Sequence, residues 1–221
     1  MTFHALFASG VHDVKNHLNS AIMNLNEAHA MKDTSRLPEV ANHCYELATR
    51  LDQLLLMYKF QESAYRASLD YLPLADLIGD SILECAPIVN SRKVVIEENL
   101  GTYGDLLVRT DRQLFSIMLN NLIYNAAIWA KSRVTISASR EDDAFCLEVS
   151  DDGDGFPDFM FDVDFSRLHK NEDPRLLMAI GTGLYLCAFS AGALTEAGAP
   201  CSISLKNNKG ASVVVRLENQ G

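Results

Sequence analysis

The stretch Asp151-Asp152-Gly153-Asp154-Gly155 decides how most of this 221-residue chain is expected to fold. It follows the strand-like run 145–149, so Asp151 comes at the end of a strand. A carboxylate there can accept a hydrogen bond from an exocyclic amino group such as that of adenine, and Gly153 and Gly155 let the backbone approach a base closely. On its own, the stretch is equally typical of an acidic turn.

Two further blocks flank this stretch. Asn121 and Asn125 are four residues apart on a helix that is predicted to begin at Asp111, so both amides lie on one face. Amide oxygens are hard, neutral ligands that suit Mg²⁺. The later block Gly181-Thr182-Gly183-Leu184 opens a helix whose N-terminus can approach phosphates. Each block is common by itself, but together they predict a pocket for ATP.

Outward from these blocks, strand patterns and helix patterns alternate. Strands are predicted at 94–97, 106–109, 134–137, 145–149, 201–205 and 211–217, and helices at 73–89, at 111–131 and after the second glycine block. This order predicts an α/β sandwich, with helices over one face of a mixed sheet, in a domain that spans residues 70–221.

In order and spacing, the three blocks resemble the N-box and the two glycine boxes of the histidine-kinase catalytic domain. That domain belongs to the GHKL (Bergerat) superfamily of gyrase, heat-shock-chaperone, kinase and mismatch-repair ATPases, and the resemblance covers roughly residues 72–217. It implies that Asn125 holds Mg²⁺, that Asp151 reads adenine and that 157–180 forms an ATP lid. It also implies that the pocket is shaped by Asn121, Gly153, Gly155, Gly181, Thr182, Gly183 and Leu184.

Some positions depart from the family patterns. The chaperone and topoisomerase branches place a water-activating glutamate where this chain has Asn121, and an amide cannot act as a general base. Delivery of phosphate to another acceptor is therefore favoured over hydrolysis. Ile128 stands where many kinases have a basic residue that touches phosphate, and the lid lacks a clear paired-phenylalanine box. Possible substitutes are Lys131, Arg167, Lys170 and Arg175, and the lid region contains Phe159, Phe161 and Phe165.

The N-terminal 66 residues carry two helical seams. Apolar residues recur at spacings of four and three at Phe7, Val11, Val14, Leu18, Ala21, Leu25 and Ala28, and again at Val40, Cys44, Leu47, Leu51, Leu54 and Tyr58. The polar stretch 32–38, with a proline suited to a first helical turn, separates them. Residues 1–66 are thus predicted to form a helical hairpin, and two chains a dimeric four-helix bundle, giving an α+β fold overall. Packing of the hairpin on its own chain is the alternative.

The first helix carries a candidate phosphate acceptor. His12 lies beside the apolar seam, and an imidazole nitrogen accepts a phosphoryl group when a neighbour such as Asp13 orients it and takes its proton. Asn16, one turn later, can position a water for the loss of phosphate from a partner. The stretch 12–18 resembles the H-box of the kinase subgroup that includes citrate-sensing and quorum-sensing kinases and the sporulation phosphotransferase.

Composition narrows the remaining classes. The chain is 48% apolar, which is ordinary for a folded core, and its formal charge of −10 without a Lys/Arg cluster argues against nucleic-acid or anionic-membrane binding. No stretch approaches the ~18 apolar residues of a membrane span. The five cysteines are odd in number and form no CxxC pair, which favours structural thiols in the reduced cytoplasm.

The sequence as a whole predicts a cytoplasmic, homodimeric histidine kinase that phosphorylates His12 from MgATP and passes the group to a response-regulator receiver domain. Little sequence precedes His12, so the input is expected from an upstream sensor or partner protein, unless the chain is part of a longer one. One alternative is a histidine phosphotransferase or regulator phosphatase with a weak ATP domain, supported by Ile128 and the lid. Another is a nucleotide-dependent partner-binding module, which the His12 hairpin disfavours.

Overall fold

The computed structural model describes residues 2–32, 34–37, 65–170 and 174–218, together with residues 40, 41, 43, 44, 47, 48, 51, 54, 55 and 58. Within these ranges, the side chains at 2–10, 12, 13, 36, 167, 169, 170 and 174–179 are outside the description. The chain divides into two compact units: residues 1–66 with 172–174, and residues 67–171 with 175–221.

The first unit is built on helix α1, Thr2–Met31, which a short 3-10 turn at Thr34–Arg36 follows. The described positions between 40 and 58 have helical backbone. The apolar positions of this unit divide into two sets. Ala21, Ala28 and Leu54 are buried, whereas Val11, Leu18, Ile22, Leu25, Leu51, Leu55 and Tyr58 are exposed.

The second unit contains a five-stranded mixed sheet in the order β2-β4-β5-β7-β6. The β2–β4 pair is parallel and the other pairs are antiparallel. A separate two-stranded antiparallel sheet joins β1 to β3. The strands are β1 Asp70–Pro73, β2 Val95–Asn99, β3 Leu107–Thr110, β4 Arg133–Glu141, β5 Ala144–Asp151, β6 Cys201–Asn207 and β7 Ala211–Leu217.

Three helices accompany the sheet: α2 Leu74–Arg92, α3 Arg112–Trp129 and α4 Pro174–Glu196. Asp111 caps α3, because its carboxylate accepts a hydrogen bond from the Leu114 amide at 3.0 Å. The helices bury a continuous apolar surface that includes Leu77, Phe115, Met118, Leu119, Leu122 and Leu186.

The two faces of the sheet differ in polarity because side chains alternate along a strand. Ile136, Val149 and Val213 stand beside one another in register and are buried. Asp151 lies two residues after Val149, so its carboxylate is on this same core face. The opposite face carries polar residues such as Glu148, which accepts a hydrogen bond from the Ser212 hydroxyl.

The predicted α/β sandwich with a mixed sheet is confirmed, and the predicted strands and helices are present with shifts at their ends. Helix α2 runs three residues beyond the predicted end at Val89, through Pro87, and stops where Lys93 adopts a left-handed conformation. Strand β1 was missed, because its four residues show no clear alternation. In the part of the chain that the structure describes, none of the helices is long and apolar enough to cross a membrane.

Candidate nucleotide-binding site

The two asparagines of α3 face the second glycine block. Asn121 is buried, and its Nδ2 donates to the Ile117 carbonyl at 2.7 Å, which fixes the direction of the amide. Asn125 is half-buried one turn later. A Cβ atom placed on Gly183 would lie 2.8 Å from Asn125 Nδ2 and 3.3 Å from Asn121 Oδ1. The fold therefore brings residues 121, 125 and 183 together, and a Cβ atom at position 183 would press on the two asparagine side chains.

The remainder of the second block occupies an interruption in α4. Gly181 has φ 78° and ψ 155°, a conformation that is essentially restricted to glycine, so the helix breaks there and restarts. Thr182 is half-buried at the restart, and Leu184 is buried in the core. The break starts a new helical turn beside the two asparagines, and the start of a helix suits an anionic ligand.

Asp151 is the half-buried acid of the site. Its Oδ1 accepts hydrogen bonds from the Gly153 amide at 2.7 Å and from the Ala211 amide at 3.2 Å. Burial raises the pKa of the Asp151 carboxyl, and the two amides act in the opposite direction. Because both amides use Oδ1, Oδ2 is the oxygen that can accept from a ligand amino group.

The adjacent Asp152 binds the protein backbone. Its Oδ1 accepts from the backbone amides of Lys131, Ser132 and Arg133 at 2.8, 2.9 and 3.1 Å. The Ser132 hydroxyl donates to Oδ2 at 2.5 Å. These donors, the Ser132 hydroxyl first, hold the pKa of Asp152 well below its usual range. Asp152 therefore anchors the connection between α3 and β4 and leaves ligand recognition to its neighbour.

The turn between β6 and β7 packs against the first glycine block. A Cβ atom on Gly210 would lie 1.9 Å from the Asp151 carbonyl oxygen, so only glycine allows this approach. Asn207 bonds to the backbone of Phe156 through both ends of its amide. Gly155, with φ 85°, packs against that same amide.

Of the four basic residues that the sequence offers in place of Ile128, the structure describes the side chain of Lys131. Lys131 Nζ lies 2.5 Å from Asp154 Oδ1 on the exposed surface. This pair raises the pKa of Lys131. The side chains of the other candidates, Arg167, Lys170 and Arg175, lie outside the described residues.

The lid region contains 3-10 turns at Asp158–Asp162 and Phe165–Lys170. Phe165 is buried, whereas Phe159 and Phe161 are about half exposed, at 51% and 45%. The three phenylalanines therefore do not form one cluster in the core.

The predicted phosphate acceptor lies in the first unit. His12 and Asp13 belong to α1, but their side chains are outside the described residues. Asn16 is exposed on the same helix, and the His17 ring lies 6.0 Å from the His43 ring.

Comparison with known families agrees with this geometry. The family model described as histidine kinase-, DNA gyrase B- and HSP90-like ATPase matches residues 110–221, from the start of α3 to the C-terminus. The chain belongs to this ATPase family. The match contains both asparagines and both glycine blocks, and the family assignment implies that the domain binds ATP.

Two curated relatives of this ATPase-family chain are bacterial sensor proteins. The sensor histidine kinase YkoH of Bacillus subtilis is 25% identical over 151 residues, which is 67% of this chain and 32% of the relative. The sensor protein CzcS of Cupriavidus metallidurans is 25% identical over 142 residues, 63% of this chain and 29% of the relative. The chain thus spans about a third of the length of the curated relatives it matches.

Solved histidine-kinase structures share the fold. The Acinetobacter baumannii histidine kinase AdeS superposes with a TM-score of 0.64 at 16% identity, covering 95% of this chain and 98% of that one. The catalytic domain of the histidine kinase ThkA gives 0.55 at 18% identity, covering 68% and 95%. Together with the relatives, the family match confirms the predicted resemblance to histidine kinases with a GHKL-type catalytic domain.

Three residues of the site were not assigned a role from the sequence: Asp152, Asn207 and Gly210. Asp152 lies inside the motif, but the sequence gives no sign that its carboxylate binds the backbone at 131–133. Asn207 and Gly210 are the first and last residues of Asn-Asn-Lys-Gly, a typical turn sequence. This sequence predicts a hairpin and nothing more. Their links to the first glycine block are tertiary contacts: Asn207 bonds to Phe156 across 51 residues, and Gly210 packs against Asp151.

Proposed function

We propose that this chain acts as a histidine kinase: the γ-phosphoryl group of ATP passes to His12 and then to an aspartate of a response-regulator receiver domain. The observation that carries the proposal is the convergence of Asn121, Asn125 and Gly183, with Asp151 at the end of β5 in the same domain. The curated relatives named as sensor proteins support a receiver domain as the partner.

Each residue of the site fits one part of this reaction. Asp151 Oδ2 would accept from the adenine amino group, while the helical turn after Gly181 faces the phosphates. Asn125 offers a neutral oxygen ligand that would hold Mg²⁺, and the ion would neutralise part of the phosphate charge. The amide of Asn121 is directed by its bond to Ile117 and cannot remove a proton from water. This set favours transfer to an amino-acid acceptor over hydrolysis.

At the acceptor, an imidazole nitrogen of His12 would attack the γ-phosphorus, with ADP as the leaving group. Asp13 is suited to orient the ring and take its proton, and Asn16 to position a water when a phosphorylated partner is dephosphorylated. All three lie on α1 in the unit of residues 1–66, which we propose is the phosphotransfer domain, with 70–221 as the catalytic domain.

The exposed apolar residues of the first unit support a homodimer. Val11, Leu18 and Leu25 recur every seven residues on α1 with about half their surface exposed. Leu51, Leu55 and Tyr58 are similarly exposed. We propose that a second copy covers both stripes in a four-helix bundle. Analytical ultracentrifugation at micromolar concentration should give a dimer, and a monomer would contradict this part of the proposal.

A weakened catalytic domain is the second candidate, in which the chain acts as a histidine phosphotransferase or regulator phosphatase. Ile128 cannot contact phosphate as a cation, and Lys131, the described candidate to replace it, is paired with Asp154. In this version, His12 exchanges phosphate with receiver domains, and the input arrives through a partner sensor protein.

The deciding experiment is incubation with ATP labelled at the γ-phosphate, with wild type beside His12→Ala and Asn125→Ala. An acid-labile, alkali-stable label on wild type, lost in both variants, is the expected result. The His17→Ala variant is a matched control on the same helix and should retain the label. ATP binding without any label would favour the phosphotransferase, which is then tested by mixing the chain with phosphorylated receivers.

A further inference from the structure

The β6–β7 hairpin forms hydrogen bonds to the first glycine block at Asp151 and at Phe156, which are five residues apart. At one end, the Phe156 amide donates to Asn207 Oδ1 at 2.8 Å, and Asn207 Nδ2 donates to the Phe156 carbonyl at 3.0 Å. At the other end, the Ala211 amide donates to Asp151 Oδ1 at 3.2 Å. Asn207 and Ala211 are themselves partners in the β6–β7 register. Both ends of the segment 151–156 are therefore attached to one hairpin of the sheet.

The space around the segment is closed on that side. The carboxamide of Asn207 lies 2.8 to 3.0 Å from where a Cβ of Gly155 would stand. Gly210 approaches the Asp151 carbonyl so closely that a Cβ would lie 1.9 Å away. The hairpin thus fixes the segment by steric contact as well as by hydrogen bonds.

We infer that Asn207 is a positioning residue for nucleotide binding: it holds Phe156 so that the segment 151–156 presents Asp151 Oδ2 to the adenine ring. This inference rests on the proposed function. Asp151 is attached at its own end by Ala211, but the backbone from Gly153 to Phe156 would form the wall of the proposed pocket and leads into the predicted lid. Without the Asn207 clamp, that wall has to be ordered when the nucleotide binds, and ordering costs affinity.

A positioning role can be separated from a purely structural one because Asn207 is exposed. Replacing an exposed side chain removes no core packing, so the free energy of unfolding should change little. Asn208, the next residue in the same turn, is also exposed, and within the described residues its side chain makes no hydrogen bond to the segment. Asn208→Ala is therefore a matched control for composition, exposure and position.

The test compares wild type, Asn207→Ala and Asn208→Ala in the full chain. ATP and GTP affinities are measured by calorimetry at a temperature where circular dichroism shows all three to be folded. We expect Asn207→Ala to weaken ATP binding about tenfold and to reduce the preference for ATP over GTP, because the adenine-reading wall is no longer held. Hydrogen exchange at the Phe156 amide should accelerate in Asn207→Ala alone.

Four outcomes are decisive. Weaker ATP binding in Asn207→Ala with a wild-type Asn208→Ala supports the inference. Affinities within twofold for all three proteins overturn it while leaving the proposed function intact, and so does an equal loss in both variants. Failure of the wild type to bind ATP overturns the proposed function itself, and with it the assignment of Asn207 to nucleotide binding. Calorimetry on the wild type alone therefore distinguishes the two failures.

Discussion

The two glycine blocks of this domain are held in place by different means. In the first block, the space that a side chain at Gly153 or Gly155 would need is occupied by other parts of the protein. These are the Trp129 carbonyl and the Asn207 amide, respectively. In the second block, a Cβ on Gly181 would meet nothing within 4 Å among the described residues, and Gly183 faces only the ends of two side chains. Both blocks contain a glycine with positive φ, but only the first is also enclosed by other described parts of the protein.

Gly210→Ala should break the first block and produce the largest effect. Its Cβ would lie 1.9 Å from a backbone oxygen of Asp151, which cannot move without shifting β5. Overpacking of this kind costs about 3 kcal/mol, which is roughly 6–12 °C in the thermal midpoint. Gly104→Ala is the control, because Gly104 has helical dihedrals and open space, and it should melt like wild type. Equal midpoints for both variants would contradict the described packing.

Asp151→Asn should separate nucleotide recognition from folding. The amide can keep the bonds from Gly153 and Ala211, but its NH₂ group would face the adenine amino group, donor against donor. ATP affinity should fall on the order of 30-fold, about 2 kcal/mol. An affinity within threefold of wild type would exclude Asp151 as the adenine acceptor.

The same variant has a defined pH signature. Burial raises the folded-state pKa of Asp151, so ionisation costs stability as the pH rises through that value. Asp151→Asn lacks this cost. As the pH rises from 4 to 7, its free energy of unfolding, measured with urea, should therefore increase relative to that of wild type.

Asp152→Asn should show the opposite pH dependence. The folded-state pKa of Asp152 is lowered, so its contribution to stability is complete above the unfolded value of about 3.9 and is lost as the pH falls. We expect a loss of about 1 kcal/mol at pH 7, because three backbone bonds can remain, and a smaller loss at pH 3. Urea unfolding at both pH values measures this. Parallel pH profiles for the two variants would show that the neighbouring acids are equivalent.

Gly183→Ala tests the second block and should have the smallest effect on stability. The added Cβ would press on Asn125 Nδ2, the far end of a side chain that can move, and alanine favours the helix by up to about 1 kcal/mol. The thermal midpoint should stay close to that of wild type. ATP affinity in the presence of Mg²⁺ should still fall about fivefold, because Asn125 is displaced. A midpoint as low as that of Gly210→Ala would remove the contrast between the two blocks.

Local patterns predicted the elements of the domain well. Helix α3 was expected at 111–131 and runs over Arg112–Trp129, since Asp111 is a good N-cap and the apolar period is clear. Strand β1, Asp70–Pro73, was missed because its order comes from pairing with β3, which lies 34 to 40 residues later in the sequence. The apolar seam on α1 was expected as one stripe, but its described alanines are buried, Val14 is half-buried, and Val11, Leu18 and Leu25 are exposed.

The sequence by itself determined the family and the order of the blocks, because four-residue spacing puts Asn121 and Asn125 on one helix face and glycines mark where backbone conformation is unusual. Only the tertiary structure decided that Asp152 binds the backbone at 131–133, that the Ala211 amide donates to Asp151, and that Asn207 supports Phe156. The physical reason is range. Periodicity and dihedral preference act over a few residues, whereas these hydrogen bonds join positions from about 20 to 60 residues apart, and sheet register alone brings them into contact.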